Sequence, residues 1–470
     1  MTRPLTFSSL LILTTLVLFI SLSCRKKDKI DTTPGLSLTF STDTVYFDTV
    51  LTTTGSITKR LIVHNPNAGK VNVSSIRLAG GEQSSYRINI SGVPSFSESN
   101  IEIPGEDSIF IFVRVTVNPN NHNTPFVVSD SIEFITNNST QQNVKLVAWG
   151  QNANFYKNVR IQEDIIWDSL KAHVIYGSLS IENDARLTIL PGTKVYFHKG
   201  GYLDIQKGST LKVNGSLEHP VQFQGDRLDP FYRDLPGQWS GIYLEQGSRD
   251  HEINYAIIKN GITGLAVDSL GSSSNPMLEL HNTIIQNMTS DGILAYGTSI
   301  VSTNCVIGSC GGRSIEILAG GDYDFRQLTI GNYWISSVRS VPSLYLSNYA
   351  YDTLGNKVPG QLVKGYFGNT IIDGGEESEV ELDSISGIQF NFTFDHAMLK
   401  TRLNTGNPSR YINCIVNKDP LFVDIQLNDY RLDTLSPAIG KGIPMGVQYD
   451  IKGIDRGNTP DLGAYQFFKR

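Results

Sequence analysis

The central part of the chain alternates apolar and polar residues in short runs, and the pattern recurs along the sequence with a nearly constant spacing. When the sequence is shifted against itself, six apolar residues fall on other apolar residues. The pairs are Leu179 with Leu203, Ile181 with Ile205, Leu187 with Leu211, Ile189 with Val213, Val195 with Val221 and Phe197 with Phe223. The residue numbers of the first four pairs differ by 24 and those of the last two by 26. Each apolar-x-apolar run predicts a strand with one buried face. Three strands per period predict one turn of a parallel β-helix, which buries its apolar stripe against the neighbouring turns.

A second repeated phrase indicates that the coils continue towards the C-terminus. It begins at Asn282, Asn304, Asn369 and Asn413, with a weaker copy at Gln327, so the residue number rises in steps of 22, 23, 42 and 44. We interpret each of the last two steps as one coil plus an insertion, which places insertions at 337–365 and 374–400. The asparagines are expected to form a ladder of side-chain amides at a tight coil corner. Cys305 and Cys414 share one phase of the repeat, which favours packed small residues over nucleophiles.

Residues 36–152 alternate in the same way but without the repeat. Short strands separated by turn signals such as Asn65-Pro66-Asn67 predict a β-sandwich. The order GSITKRLIVHNPNAGKVNVSSIRLAGG, YRINI and IPGEDSIFIFVRV resembles the Ig-like domains of the abnormal-spindle/hydin type. The resemblance implies a module that spaces or docks other domains, with Asn65 at the end of a strand.

Positions 1–23 are typical of an export signal. An apolar run from Leu10 to Ile20 follows Arg3 and is too short to span a bilayer comfortably. The run leads to Cys24, and the arrangement resembles a bacterial lipoprotein signal, although Ser21 stands where such signals prefer an aliphatic residue. The resemblance implies a lipid anchor at Cys24 in the outer membrane, on either face, with residues 24–35 as a polar tether. A plain secretory signal is the alternative.

The C-terminal residues carry a third set of motifs. They read Asp419-Pro420-Leu421-Phe422, Asp429-Tyr430-Arg431-Leu432, Ser436-Pro437-Ala438-Ile439-Gly440 and Pro460-Asp461-Leu462-Gly463-Ala464-Tyr465. This series resembles the closing segment of secreted bacterial right-handed β-helix proteins of the pectin-lyase-like superfamily. The chain is therefore expected to be all-β, with a right-handed parallel β-helix over 159–470 and a cap at about 417–470 on the open last coil. Asp450, Arg456 and Asp461 could form an ion-pair cluster that fixes the cap.

Composition narrows the range of partners and cofactors. The net charge of -6 over 470 residues gives no general basic field, so nucleic acid is not an expected partner. Three cysteines besides Cys24 cannot form a complete disulfide set, and no spacing suits a metal such as zinc. The acidic run from Glu376 to Asp383 could hold Ca²⁺, but it matches no known calcium loop, and a solvated loop is the alternative. No other cofactor is expected.

Candidate site residues are few. Asp322, Asp324 and Arg326 form a compact acid-acid-base group on alternate positions of a predicted strand, so their side chains could converge on solvent and act in catalysis. His396 beside Asp395 is a weaker candidate of the same kind. The aromatic side chains of Trp239, Tyr345 and Tyr349 would suit stacking on sugars, or they could pack the loops.

Two classes of function fit these observations. The first is a non-catalytic cell-envelope lipoprotein that binds a glycan or a protein partner through the β-helix face and its loops. The second is a polysaccharide lyase or glycoside hydrolase with a divergent active site. The polygalacturonase motifs and a nucleophile elbow are absent from the sequence, which favours the first class. The fold alone does not decide between them.

Overall fold

The computed structural model describes residues 29–90, 92–120, 125–137, 140–268 and 277–468. Within these ranges the chain is nearly all β, and it divides into two compact units after Asn152. None of the described residues belongs to a helix long and apolar enough to cross a bilayer. The predicted signal segment and Cys24 lie outside the described residues.

The N-terminal unit contains two five-stranded sheets in its described part. Its strands are β1 Thr39–Phe40, β2 Thr44–Leu51, β3 Lys59–Asn65, β4 Val71–Leu78, β5 Tyr86–Asn89, β6 Pro94–Ser95, β7 Ser97–Ile103, β8 Asp107–Val115, β9 Phe126–Thr136 and β10 Thr140–Gln151, with a 3-10 helix at Gly81–Gln83. The strand orders are β1-β3-β8-β5-β6 and β2-β10-β9-β4-β7. Both sheets bury alternate side chains in one shared apolar core, as expected for strands with one solvent-exposed face.

Asn65 ends β3 and organises the turn that follows. Its buried Nδ2 donates to the carbonyl of Gly69 at 2.9 Å and to that of Ile103 at 3.1 Å. Its Oδ1 accepts from the backbone N–H of Asn67 at 3.0 Å. One buried amide therefore satisfies three backbone groups where the chain leaves the sheet.

The second unit is built on a 26-stranded sheet of parallel pairings. Its strands are β11 Ala153–Ile161, β12 Ile165–Trp167, β13 Ala172–Ile181, β14 Arg186–Ile189, β15 Lys194–Phe197, β16 Tyr202–Ile205, β17 Thr210–Asn214, β18 Val221–Gly225, β19 Gly241–Leu244, β20 His251–Asn254, β21 Ala256–Lys259, β22 Leu265–Asp268, β23 Leu278–His281, β24 Ile284–Met288, β25 Ile293–Thr303, β26 Val306–Cys310, β27 Ile315–Arg326, β28 Thr329–Asn332, β29 Leu344–Ser347, β30 Tyr349–Tyr351, β31 Lys357–Pro359, β32 Leu362–Gly368, β33 Ile371–Gly374, β34 Val380–Asp383, β35 Thr393–Asp395, β36 Met398–Leu399, β37 Tyr411–Ile412, β38 Ile415–Val416, β39 Phe422–Asp424 and β40 Asp429–Leu432, with 3-10 helices at Pro230–Tyr232 and Ile425–Leu427. The pairs β30–β31 and β39–β40 are separate two-stranded antiparallel sheets.

Strands one coil apart pair in parallel, so the large sheet consists of three stacks. Sheet A contains β16, β19, β22, β29 and β34, the ends of β11 and β13 and the starts of β25 and β27. Sheet B contains β12, β14, β17, β20, β23, β32, β35 and β37 and the ends of β25 and β27. Sheet C contains β15, β18, β21, β24, β26, β28, β33, β36 and β38 and the starts of β11 and β13. The arrangement is consistent with a β-helix solenoid.

The inward side chains of the three sheets form one continuous apolar core. On sheet B, the rings of Phe325, Phe367, Phe394 and Tyr411 stack in successive coils, with centroids 5.2, 5.2 and 5.7 Å apart. Phe367 and Phe394 are each covered by a ring of the coil on either side. The stability of such a stack therefore comes from contacts between neighbouring coils.

The register corrects one part of the predicted repeat. The pairs Leu179–Leu203 and Leu187–Leu211 align as predicted. Val195, however, aligns with Phe223 and not with Val221, so the third strand lies two positions further along the chain than predicted. The turn before β18 is correspondingly longer than the apolar pattern suggested. Because the difference is even, the inward and outward faces are unchanged.

The spacing of the asparagine phrase also needs correction, because the step from Asn369 to Asn413 contains two coils. Strand β33 pairs with β36, and β36 pairs with β38, so His396 occupies the intervening corner. His396 has φ 51°, close to the φ of 48° at both Asn369 and Asn413. Residues 374–400 are therefore a coil with its own strands, and in the preceding step the hairpin β30–β31 lies outside the stack.

The amide ladder forms in part. Asn282 Nδ2 donates to Asn254 Oδ1 at 2.9 Å, and Asn304 Nδ2 donates to Asn282 Oδ1 at 3.0 Å. Asn369 uses its amide differently, because Nδ2 and Oδ1 clamp the backbone C=O and N–H of Ile443 at 2.7 and 3.1 Å. The corner therefore also holds the C-terminal segment, defined here as residues 417–468.

The C-terminal segment lies along the outward face of sheet C. Outward apolar side chains of sheet C pack beneath it; they are Ile284, Val306, Ile371, Met398 and Ile415. The segment contributes buried residues of its own, including Tyr430, Leu432, Ala438, Leu462 and Ala464. The prediction of a cap over the open last coil is therefore corrected, because the described contacts of this segment run along the flank of the stack.

Arg456 of this segment is buried but makes no ion pair with Asp450 or Asp461 among the described residues. Its Nη2 donates to Asn304 Oδ1 at 2.8 Å and to the carbonyl of Ala464 at 3.0 Å. The two carboxylates accept backbone N–H groups instead, for example Ile454 on Asp450 at 2.7 Å and Gly440 on Asp461 at 2.6 Å. Burial lowers the pKa of Arg456 to about 10, although both carboxylates oppose the shift.

Candidate functional site

The predicted acid-acid-base group stands on the outward face of sheet B at the end of β27. Asp324 is 7% exposed, and its carboxylate accepts Arg326 Nε at 2.8 Å and Lys364 Nζ at 2.6 Å. Asp322 is exposed and does not take part in this pairing. The structure thus brings Asp324 and Arg326 together and adds Lys364 from the next coil. Asp322 is in register with Lys364 but stays apart from the cluster.

This ion cluster is not suited to proton transfer at neutral pH. Burial opposes ionisation of Asp324, but the hydrogen bonds from Arg326 and Lys364 outweigh it and lower the pKa of the carboxyl group. A general acid needs a raised pKa, and a general base needs a free lone pair near the reacting proton. The geometry therefore favours a structural ion pair at Asp324.

His396 and Asp395 lie beside this cluster on the next coils of sheet B. His396 Nδ1 is 2.7 Å from Asp395 Oδ1, and its Nε2 is 3.2 Å from Asn413 Nδ2. Tyr366 Oη donates to Asp395 Oδ2 at 2.8 Å. Both ring nitrogens of His396 are thus engaged at the coil corner, which leaves neither available for a substrate.

Tyr345 of sheet A and Tyr349 of β30 meet around one carboxylate. Tyr345 Oη donates to Asp383 Oδ2 at 3.1 Å, and Tyr349 Oη donates to the same oxygen at 2.5 Å. Arg313 lies over the ring of Tyr345 at 4.2 Å from its centroid and pairs with Glu381 at 3.0 Å. The two tyrosines therefore belong to a closed polar cluster, and Tyr351, at 61% exposure, is the ring nearby that offers a free surface.

Trp239 is a core residue and not a surface platform, which corrects its place among the ligand-binding candidates. It is 0% exposed, and its ring stacks on Phe197 with centroids 4.1 Å apart. Its Nε1 donates to the carbonyl of Lys259 at 2.9 Å. Trp239 lies just before β19 of sheet A, and its ring fills the interior at the corner of the coil. No part of this side chain can therefore contact a ligand.

One large concave surface was not predicted from the sequence. It is a cleft of about 940 Å³ between the outward face of sheet C and the C-terminal segment, and we call it the C-terminal cleft. Asp373, Lys400 and Asn417 line one wall, in register on three successive coils. The other wall consists of residues 419–426, with the side chains of Leu421, Val423 and Ile425 partly exposed.

Asp373 is the electrostatic centre of the C-terminal cleft. The residue is 6% exposed, and its Oδ1 accepts Tyr333 Oη and the backbone N–H of Gly374, both at 2.7 Å. Burial raises the pKa of Asp373, and the hydrogen bond from Tyr333, the charge of Lys400 and the N–H of Gly374 only partly offset the rise. A carboxyl group with a raised pKa in a large cleft is a recognised mark of functional sites.

The remaining charged groups of the cleft differ in how much binding capacity they retain. Lys400 Nζ donates to the carbonyl of Gly374 at 2.5 Å, which leaves two of its three N–H groups. Arg402 is paired with Glu377. Within the described part of the chain, Lys418 and Gln426 make no side-chain hydrogen bond, so their polar ends are available to a ligand.

The sequence contained one signal for this cleft. Asp373, Lys400 and Asn417 each follow an apolar pair at the same phase of the repeat, namely Ile371-Ile372, Met398-Leu399 and Ile415-Val416. The alignment of these three residues becomes visible only when His396 is recognised as a corner residue. Without it, the long step from Asn369 to Asn413 hides the coil that carries Lys400.

The described cysteines and acids do not supply another chemical centre. Cys305, Cys310 and Cys414 are free thiols, and burial raises the pKa of Cys305 to about 11 and that of Cys310 to about 12. Thiols of this kind are poor nucleophiles at neutral pH. No group of three or more His, Cys, Asp or Glu side chains in the described ranges could hold a metal ion. The acidic side chains between Glu376 and Asp383 form ion pairs with different cations, including Arg339, Arg402 and Arg313.

Comparison with known proteins gives little further information. No protein-family model matches the chain, and no curated protein matches it. Among solved structures, the ASH/PapD-like domain of human CEP192 is similar at 10% identity and a TM-score of 0.18, over 28% of this chain and 97% of that domain. A family 123 glycoside hydrolase from Clostridium perfringens is similar at 9% identity and a TM-score of 0.19, over 27% of this chain and 30% of the hydrolase. Scores this low carry no argument about the function of the chain.

Proposed function

We propose that this protein is a non-catalytic cell-envelope lipoprotein that binds a glycan in the C-terminal cleft. The observation that carries the proposal is the cleft itself, about 940 Å³ in volume, with a buried carboxyl group and several available donors on its walls. Ligand sites are usually the largest concave surfaces with a few converging polar groups.

The chemistry of the walls favours a ligand rich in hydroxyl groups. Lys400, Lys418 and Gln426 offer N–H donors, and Asp373 with Tyr333 offers a carboxyl oxygen and a phenol oxygen that can accept hydrogen bonds. The opposite wall presents the aliphatic side chains of Val423 and Ile425, which can cover the C–H face of a sugar ring. Acids and bases are present in similar numbers, so the cleft has no strong preference for a highly charged polymer.

The wider architecture fits a protein held at a membrane. We infer that the solenoid is a right-handed β-helix of the pectin-lyase-like type, because parallel crossover connections are nearly always right-handed. The N-terminal unit would then be an Ig-like spacer, and a lipid at Cys24 would anchor the chain in the outer membrane. Replacing Cys24 with Ala should move the protein to the soluble fraction, and unchanged membrane partitioning would rule out the anchor.

The binding proposal is tested with a glycan array followed by titration calorimetry on the best ligand. Lys400→Met and Gln426→Ala should each weaken binding roughly tenfold, since each removes a hydrogen bond to the ligand. Lys212→Met is the matched control, because Lys212 lies on sheet B and pairs with Glu252 at 3.4 Å. An array without any glycan ligand would contradict the proposal and favour a protein partner.

A second candidate function rests on Asp373 alone. A carboxyl group with a raised pKa could act as the general acid of a glycoside hydrolase or polysaccharide lyase. That function requires turnover of the glycan found on the array, with the release of reducing ends or unsaturated products. Asp373→Asn should abolish such turnover while binding persists. If the bound glycan is recovered intact after prolonged incubation, the enzyme hypothesis fails.

A further inference from the structure

A second cavity, with a volume of about 410 Å³, adjoins the C-terminal cleft at the 3-10 helix Ile425–Leu427. We call it the side cavity. Tyr333, Ile425 and Gln426 line both concave surfaces. Other walls of the side cavity come from sheet C, from the chain that follows β28 and from the C-terminal segment; they include Gln286, Ser309, Trp334, Ile335 and Leu427. Two concave surfaces that share part of their walls can hold one continuous ligand.

One column of outward positions on sheet C connects the two cavities. It passes, one residue per coil, through Gln286, Gly308, Gly331, Asp373, Lys400 and Asn417. At about 4.8 Å per coil, the column from Gln286 to Asn417 is about 24 Å long. The ring of Tyr430 fills the space over the two glycines in its middle. A ligand that reaches both ends therefore passes along Tyr333, which borders both cavities.

Trp334 holds an aromatic ring in a fixed position on the wall of the side cavity. Its Nε1 donates to Ser337 Oγ at 2.9 Å. The ring also packs against Gly311, where a Cβ would lie 3.0 Å from ring atom Cζ2. A ring that is already fixed loses little side-chain freedom on binding, so it is a suitable surface for the C–H face of a sugar.

The free polar groups of the side cavity are uncharged. The amides of Gln286 and Gln426 and the hydroxyl of Ser309 make no side-chain hydrogen bond to the described residues. Asp234 is the one charged side chain among the described residues of the wall, and it pairs with Lys259 Nζ at 3.5 Å. Amides and hydroxyls match the hydroxyl groups of a neutral sugar, whereas no cation here would compensate an acidic one.

A sugar chain fits this surface better than a peptide strand. The strands of sheet C beneath the side cavity, β24, β26 and β28, are each paired on both sides. A peptide therefore cannot extend sheet C here by backbone hydrogen bonds. A glycan needs no such pairing, since rings and side-chain polar groups supply its contacts.

We propose that the side cavity extends the C-terminal cleft and binds further units of a linear, uncharged glycan chain. This inference rests on the proposed function, because one chain occupies both cavities. Part of the chain lies in the C-terminal cleft beside Lys400. The next units pass Tyr333, stack on Trp334 and form hydrogen bonds with Gln286 and Ser309.

The test is calorimetry on the mature protein with the disaccharides and linear hexasaccharides of cellulose, mannan and xylan, and with the same lengths of polygalacturonic acid. For the neutral chain that binds best, the hexasaccharide should bind roughly thirtyfold more tightly than the disaccharide, because it adds a ring contact and hydrogen bonds. The galacturonate pair should differ by no more than about fivefold, because the longer chain gains only additional binding registers.

Variants of the side cavity locate this gain. Trp334→Ala should weaken binding of the neutral hexasaccharide about tenfold and leave the disaccharide unchanged, whereas Trp334→Phe should lose no more than about threefold. Gln286→Ala should weaken the hexasaccharide about fivefold. Trp149→Ala is the matched control, because Trp149 lies in the N-terminal unit and is 47% exposed; it should change neither affinity. Circular dichroism should confirm that each variant is folded.

The extension and the proposed function fail in different ways. Hexasaccharide binding that Lys400→Met weakens and Trp334→Ala does not would overturn the extension and leave the C-terminal cleft as the glycan site. Equal gains for the neutral and the acidic chains would overturn the preference for an uncharged glycan. Absence of binding by all three neutral hexasaccharides would also overturn the extension, while another glycan that binds through Lys400 would keep the proposed function.

Discussion

Single charged residues in the solenoid are held by specific partners inside the fold. Glu379 is 0% exposed, and Arg339 meets both of its carboxylate oxygens, with Nη2 to Oε1 at 2.6 Å and Nη1 to Oε2 at 2.9 Å. The backbone N–H of Ser343 donates at 3.0 Å and that of Glu376 at 2.7 Å. A run of acids that resembles a solvated loop in the sequence therefore contains a buried anchor.

Arg339→Met should destabilise the protein by about 3–5 kcal/mol, because it leaves the Glu379 carboxylate buried without its cation. The free energy of unfolding is measured by chemical denaturation. The matched control is Arg77→Met, whose pair with Glu133 has an arginine side chain 54% exposed, and the expected change is about 0–1 kcal/mol. A similar small change for both variants would show that the buried pair contributes little.

His251 makes the stability of the solenoid depend on pH. The residue is 1% exposed; its Nδ1 accepts the N–H of Leu211 at 3.0 Å, and its Nε2 is 3.0 Å from Ser248 Oγ. Burial, followed by the charge of Lys212, lowers the pKa of His251 from 6.5 to about 3. Between these two pKa values the unfolded chain binds a proton that the folded chain excludes, so stability falls as the pH falls, by about 1.4 kcal/mol per pH unit.

His251→Asn keeps an acceptor for Leu211 but removes the titrating ring. The variant should be less stable than the wild type at pH 7. The gap, meaning the difference in the free energy of unfolding between the two proteins, should narrow by about 2 kcal/mol on going to pH 5. Denaturation curves at both pH values give the gap directly. The same substitution at His219, which is exposed, removes no buried imidazole and is the control. A constant gap for His251→Asn would mean that the buried ring is protonated as readily as the unfolded one.

At the scale of elements, the C-terminal segment and sheet C fit through two glycines. A Cβ on Gly331 would lie 2.5 Å from a ring carbon of Tyr430, and one on Gly308 would lie 2.7 Å from its hydroxyl oxygen. Tyr430 is 0% exposed, so its ring fills the space that both glycines leave open. The absence of side chains at these outward positions is what allows the segment to approach the sheet.

Gly331→Ala should therefore weaken the docking of the C-terminal segment, with a loss of about 1–3 kcal/mol from overpacking. Limited proteolysis should cut the segment faster, and denaturation gives the free energy. Gly365→Ala is the control, because the nearest atom to its Cβ would be 3.4 Å away. In a Tyr430→Leu background the effect of Gly331→Ala should shrink. An equal loss in both backgrounds would mean that the ring is not the obstacle.

The elements were predictable to the extent that their apolar pairs are regular. Leu179 and Leu203 align because a coil of constant length with constant corners leaves a direct trace in the sequence. The alignment of Val195 failed because the length of the turn before β18 is not encoded in apolar positions. Lys400 escaped notice because His396 replaces asparagine at its corner, and corner identity was the only marker of that coil. Pairings across coils, such as Lys364 with Asp324, depend on register and cannot be read from composition.

At the scale of the whole molecule, the described parts of the N-terminal unit and of the solenoid each have an apolar core of their own. The core of the N-terminal unit and the core of the solenoid share no residue, and the division falls after Asn152. A unit with its own core can in principle fold alone. The solenoid also has an outward apolar face on sheet C, and residues of the C-terminal segment cover it.

Fragments 29–152 and 153–468 should each fold when produced separately, with β-type circular dichroism and one cooperative unfolding transition. Fragment 153–416 lacks the C-terminal segment and exposes Ile284, Val306 and Ile371 on sheet C, so it should aggregate or unfold at lower denaturant. The loss of stability in this fragment should exceed that caused by Gly331→Ala, since the fragment lacks the whole C-terminal segment, whereas the substitution only displaces it. A stable, monomeric 153–416 fragment would show that the coil stack needs no cover, and failure of 153–468 to fold would show that the two cores depend on each other.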